Sequence, residues 1–159
     1  MKKHILATTI TLISLATFAS AQDHHDKPIP GPKGGKVIET DSGHVEFFVQ
    51  PDAKVSVTFY DGAMKPVAPA EQVVAVVAEA PSGREKLEFE KSGDAFVSTS
   101  PLPKGDDYRV VLQIKSTADA KPQNIRIDYH TEVCGKCNRP EYACICTEEA
   151  GGGHDGHGH

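Results

Sequence analysis

From Lys36 to Tyr129 the apolar residues recur with a period of two, in short runs separated by turn residues. Val37 to Thr40 reads as a first strand, closed by Asp41-Ser42-Gly43. Val45, Phe47 and Val49 then alternate with His44, Glu46 and Phe48 up to Pro51-Asp52. Val55, Val57 and Phe59 alternate with Ser56, Thr58 and Tyr60 up to Asp61-Gly62. Val73 to Ala78 is a continuous apolar run that stops before Pro81-Ser82-Gly83. Leu87 and Phe89 form one face of the next strand, and Ser92-Gly93-Asp94 leads into Ala95 to Thr99. Tyr108 to Lys115 and Ile125 to Tyr129 complete the series. Glu71 to Glu79 is the only helical candidate, and its density of valine favours a strand. About seven or eight strands in roughly 100 residues predict an all-β, antiparallel sandwich over residues 36–131.

Within that domain, Gly105-Asp106-Asp107-Tyr108-Arg109-Val110 is similar to the start of strand F in immunoglobulin-like domains. The resemblance implies an immunoglobulin-like sandwich in which the Tyr108 hydroxyl bonds back to the chain at a corner. The plainer alternative makes Tyr108 a core aromatic at a strand end.

The sequence before the strands has a different character. Lys2 and Lys3 precede an apolar stretch, Ile5 to Phe18, and Ala19-Ser20-Ala21 supplies small residues at a cleavage point. Residues 1–21 therefore read as a signal peptide; the alternative is an uncleaved anchor, for which the run is short. No cysteine stands near the cut to carry a lipid. The expected product, residues 22–159, is periplasmic or secreted, with no stable membrane insertion after cleavage. Loss of Lys2 and Lys3 leaves 15 basic against 22 acidic residues, so the formal charge moves from −5 to −7. That acidity argues against nucleic acid or an anionic membrane as partner. Residues 22–35, with three prolines and three glycines, read as a flexible arm. Residues 132–148 form a cysteine-rich module and 149–159 a glycine- and histidine-rich, disordered tail.

The β domain carries no phosphate loop, nucleophile elbow or informative pair of carboxylates, and no enzymatic activity is expected of it. His44 and His130 fall on the polar phase of their strands and read as surface residues. His130 is also a possible metal ligand, four residues before Cys134. Met64, in the turn Asp61 to Pro66, reads as filler rather than as a ligand for Cu(I). Between Gly34 and Pro69, the Gly-Gly pair, Gly43-His44-Val45-Glu46, Asp61-Gly62 and Lys65-Pro66-Val67 resemble small exported proteins found with heavy-metal efflux systems. They are also similar to the leading segments of some periplasmic adaptor subunits of such pumps. The resemblance implies a role in envelope metal handling, with an efflux system as a possible partner.

All four cysteines fall in Cys134-Gly135-Lys136-Cys137-Asn138-Arg139-Pro140-Glu141-Tyr142-Ala143-Cys144-Ile145-Cys146. The Cys-x2-Cys pair reads as a knuckle in which Gly135 eases the reversal, and six residues return Cys-x-Cys to the same point. Three readings stand open: a site for Zn(II) or Cu(I), two disulfides, or a thiol redox pair at Cys134 and Cys137. The close Cys-x-Cys neighbours, which do not readily bond to each other, favour metal. The pattern Cys-x2-Cys-x-Arg-Pro-x3-Cys-x-Cys resembles the module that opens DTW-domain tRNA-modifying enzymes, over residues 134–146 alone. That resemblance implies a zinc site with Cys134, Cys137, Cys144 and Cys146 as ligands. The rest of that enzyme family has no counterpart here, so its activity is not implied.

Histidines add candidates at both ends. His154, His157 and His159 sit in a glycine-rich tract that can fold around an ion, or belong to an inert tail or a vector remnant. Cleavage after Ala21 would leave Gln22-Asp23-His24, whose amine, amides and imidazole suit Cu(II) or Ni(II), with His25 assisting. The expected function is that of an exported protein that buffers, sequesters or delivers Zn or Cu in heavy-metal homeostasis. The rivals are an interaction module held by two disulfides and a periplasmic thiol oxidoreductase.

Overall fold

The computed structural model describes residues 27–40 and 43–146 of the chain. Among them run β1 Lys36–Thr40, β2 Gly43–Val49, β3 Val55–Tyr60, β4 Pro66–Val67 and β5 Val73–Ala80. β6 Gly83–Leu87, β7 Phe89–Ser92, β8 Ala95–Ser98, β9 Tyr108–Lys115 and β10 Gln123–Tyr129 follow, and a 3-10 turn, Glu141–Ala143, comes last. The strands form two antiparallel sheets. One has six strands in the order β1-β2-β3-β8-β7, with β4 on β3; the other has four, in the order β10-β9-β5-β6. The chain is all-β and a sandwich, with ten strands among the described residues rather than seven or eight.

The two additional strands have separate causes. β4 is a two-residue pairing with Phe59 and Tyr60, too short to leave a periodic signal. The other comes from the segment expected as one strand around Leu87 and Phe89, which breaks at Glu88. β6 pairs with β5 in one sheet, while β7 pairs with β8 in the other. The Glu88 carbonyl accepts the Thr99 N–H at 2.9 Å, outside either strand. The sheets are thus joined along one edge by continuous backbone. At the opposite edge, β1 and β10 are both touched by the 3-10 turn.

Between the sheets Val45, Phe47, Val57, Val76, Leu87, Val110 and Leu112 are fully buried, and Ile127 nearly so. Burial of each such side chain contributes about 1.5–3 kcal/mol. Tyr108 belongs to this core, and its hydroxyl also donates to the Pro103 carbonyl at 3.0 Å. Tyr108 is therefore a core aromatic whose hydroxyl also bonds back to the chain. Among the described residues no helix is long and apolar enough to cross a membrane.

Period two fails on the outer face of β2 and β3. All six residues of β3 are buried, and Glu46 is 0% exposed where alternation places it in solvent. The cover is a strap from the supposed arm. Pro30 bridges to Lys36, and Gly31 to Gly34 form a turn closed by the Gly34 N–H on the Gly31 carbonyl at 3.0 Å. Glu46 Oε1 accepts the Lys33 and Gly35 N–H groups at 2.9 and 2.8 Å, and Oε2 accepts the Tyr60 hydroxyl at 2.7 Å. Residues 30–35 are therefore fixed to the sheet, a correction to the flexible arm expected over residues 22–35. A buried carboxylate that accepts three such bonds avoids most of the cost of leaving water. Gly31 is required here, because a Cβ on it would lie 2.2 Å from Glu46 Oε1.

His44 is likewise not a plain surface residue. Its side chain is 12% exposed, with Nδ1 3.3 Å from the Asp61 carbonyl and Nε2 3.8 Å from Glu39. Asp61 Oδ1 in turn accepts the Ala63 and Lys65 N–H groups, which shapes the turn that carries Met64.

Candidate metal centre

After β10 the chain is led back across its own end. Asp106 Oδ1 accepts the Thr131 N–H at 2.8 Å, and the Glu132 carbonyl accepts the Glu141 N–H at 2.8 Å. A bridge between Val133 and Pro140 then opens a narrow hairpin. Within it the Cys134 N–H donates to the Arg139 carbonyl at 2.8 Å, and the Asn138 N–H to the Cys134 carbonyl at 2.9 Å. The reversal falls on Asn138, whose φ is 55°, a conformation that asparagine tolerates better than most residues. Gly135 has open space around it and no positive φ. The turn is thus made at a different residue from the one the sequence pointed to.

The loop between the two cysteine pairs is more than a spacer. Tyr142 and Ala143, in the 3-10 turn, are buried and belong to the sandwich core. The Tyr142 ring meets Phe47 edge-on with centroids 5.9 Å apart, and Tyr129 at 5.7 Å. Its N–H donates to the His130 carbonyl at 3.1 Å. The cysteine-rich segment is packed against the sandwich, and Cys144 and Cys146 leave the 3-10 turn pointed back at the hairpin.

The four sulfurs all lie within 4.8 Å of one another. Cys134 to Cys144 is 3.5 Å, Cys137 to Cys144 is 3.7 Å, and Cys134 to Cys146 is 3.9 Å. A tetrahedron of thiolates about 2.3 Å from one ion has edges of about 3.8 Å. A disulfide instead brings two sulfurs to about 2.05 Å. No pair stands apart as bonded partners, and all four cysteines are free. The donor set and its spacing fit a tetrahedral metal ion.

The backbone prepares this cage for negative charge. The Ile145 N–H, and next the Arg139 N–H, point at the Cys137 sulfur and hold its thiol down at about 6. Burial, with the neighbouring thiols, pushes Cys146 up to about 12. Cys144 is also raised: the Cys146 N–H on its sulfur works the other way, and burial with the Cys134 and Cys137 thiols outweighs it. Without metal the cluster therefore favours a thiolate at Cys137 and thiols at Cys144 and Cys146, whose protons a cation would displace.

The structure brings together Cys134, Cys137, Cys144 and Cys146 and leaves His130 out of the group. The His130 ring lies 3.6 Å from the Asp107 carboxylate and is 43% exposed. Gln22, His24, His25, His154, His157 and His159 lie outside the described residues, as do residues 1–21, expected as a signal peptide, and residues 149–159, expected as a tail. Sequence reasoning missed Tyr142 as a core residue and Arg139 as a link to the strap. Arg139 Nη2 donates to the Gly31 carbonyl at 3.3 Å, across 108 residues of sequence. The phrase Gly31-Pro32-Lys33-Gly34-Gly35 ahead of a strand glutamate was the available signal for the strap. Compared with family models, curated proteins and solved structures, the chain matches none.

Proposed function

We propose that this is an exported, non-catalytic metal-binding protein whose sandwich presents one tetrathiolate site to the bacterial envelope. The observation that carries the reading is the mutual approach of all four sulfurs within 4.8 Å. Four thiolates at tetrahedral spacing suit Zn(II) better than Cu(I). The site then buffers, sequesters or delivers zinc, and protons compete with the metal as pH falls. The leader-like residues 1–21 support export, and the resemblance between Gly34 and Pro69 to efflux-associated proteins supports a heavy-metal efflux system as partner. The Tyr108 corner supports an immunoglobulin-like reading of the sandwich. The histidines at both ends are read as secondary sites for Cu(II) or Ni(II).

Metal analysis of untagged protein, purified without a chelating column, tests this. About one zinc per chain is expected, with four thiols titrating only after denaturation and chelation. Four unreactive cysteines with no metal after denaturation would establish the two-disulfide module instead. Zinc-free protein whose Cys134 and Cys137 exchange with a disulfide substrate would establish the oxidoreductase.

A further inference from the structure

We infer that metal in the four-cysteine site is the fastener that keeps the β1/β10 edge of the sandwich closed and the 30–35 strap in place. The inference rests on the tetrathiolate reading and adds a structural consequence to it. One edge of the sandwich is joined by backbone through Glu88, whereas the other is closed by the 3-10 turn lying against β1 and β10. That turn sits between Cys137 and Cys144, so both of its ends are tied to the sulfur cage.

Two routes lead from the cage into the sandwich. The first is Tyr142, which fills the space beside Phe47 and Tyr129, its hydroxyl accepting the Val49 N–H at 3.1 Å. The second is Arg139, fixed by its own N–H on the Cys137 sulfur and its carbonyl on the Cys134 N–H. Its Nη2 holds the Gly31 carbonyl, and its Nη1 is buried without a hydrogen-bond partner among the described residues. A guanidinium nitrogen left unpaired in this way does not stay buried by its own preference. The hairpin holds it there, and the sulfur cage holds the hairpin. Gly31 opens the turn whose Lys33 and Gly35 N–H groups bind Glu46. Metal loss frees the hairpin, then Arg139, and then the strap over Glu46.

Hydrogen exchange of the protein, loaded with one equivalent of Zn(II) and then stripped by chelation, tests the inference. Metal content is measured first, and a chain that binds no zinc defeats the site reading itself. In a chain that binds zinc, stripping should speed exchange at the Lys33 and Gly35 amides by roughly tenfold or more. Amides of β6 and β7, at the backbone-joined edge, should change little. Arg139→Met, compared at matched zinc occupancy, should speed exchange in the strap while the Tyr142 N–H stays protected. Strap exchange indifferent to zinc, or equal loosening of both edges, overturns the inference. A strap that stays protected in Arg139→Met overturns the Arg139 route.

Discussion

The backbone N–H of Val49 donates to the hydroxyl of Tyr142 at 3.1 Å, across 93 residues of sequence. A strand near the start of the sandwich thus depends on a residue lodged between two cysteine pairs. Tyr142→Phe removes only the acceptor and should cost about 1 kcal/mol. Tyr142→Ala also empties the space beside Phe47 and should cost about 3–5 kcal/mol. Urea denaturation of the zinc-loaded protein measures both. Equal effects of the two substitutions would mean that the ring contributes nothing by packing.

Zinc binding should release protons. Cys144 and Cys146 are raised, by burial and the crowding of thiols, so both are protonated near pH 7.5, whereas Cys137 is already a thiolate. At least two protons should therefore leave per zinc bound, and affinity should fall about a hundredfold or more per pH unit on acidification. Below about 6 Cys137 also takes up a proton, and the fall steepens. Calorimetry in buffers of different ionisation enthalpy counts the protons. Release of fewer than one would contradict this distribution of charge.

Gly31→Ala should damage the strap, because the new methyl would lie 2.2 Å from Glu46 Oε1. Either the turn moves or the buried carboxylate loses its two N–H donors, at a cost of about 2–4 kcal/mol. Gly62→Ala, where a Cβ meets nothing within 4 Å, is the matched control and should cost well under 1 kcal/mol. Thermal melts of the two variants side by side should separate them clearly.

Tyr108→Phe keeps the ring in the core and removes the hydroxyl that donates to Pro103. A loss of about 1 kcal/mol is expected, with zinc affinity little changed because the ring keeps its place against Tyr129, the neighbour of Tyr142. Chemical denaturation and a zinc competition titration report the two halves of that statement. A change in zinc affinity would show that the bond to Pro103, and not only the ring contacts through Tyr129 to Tyr142, couples the corner to the cysteines.

Period two located the core strands because Val45, Phe47, Val57, Val110 and Leu112 face one another across the sandwich. It misread Glu46 and Thr58, which Lys33 and Gly35 of a strap outside the strand series contact, and Ser56, buried on the same face. The single strand read through Leu87 and Phe89 failed for a related reason. Side-chain alternation says nothing of which partner a backbone chooses, and Glu88 divides that choice between two sheets. The four-sulfur cluster was legible because convergence of cysteines within a short segment is a local property. The roles of Tyr142 and Arg139 were not, since their partners Phe47 and Gly31 lie far off in the chain.

The passage of one strand segment through Glu88 into both sheets bears on how the domain comes apart. β6 cannot leave its sheet without pulling on β7, so neither sheet survives as an independent folding unit. Unfolding of the sandwich is therefore expected to be one cooperative event, which coincident urea transitions of probes in the two sheets would check.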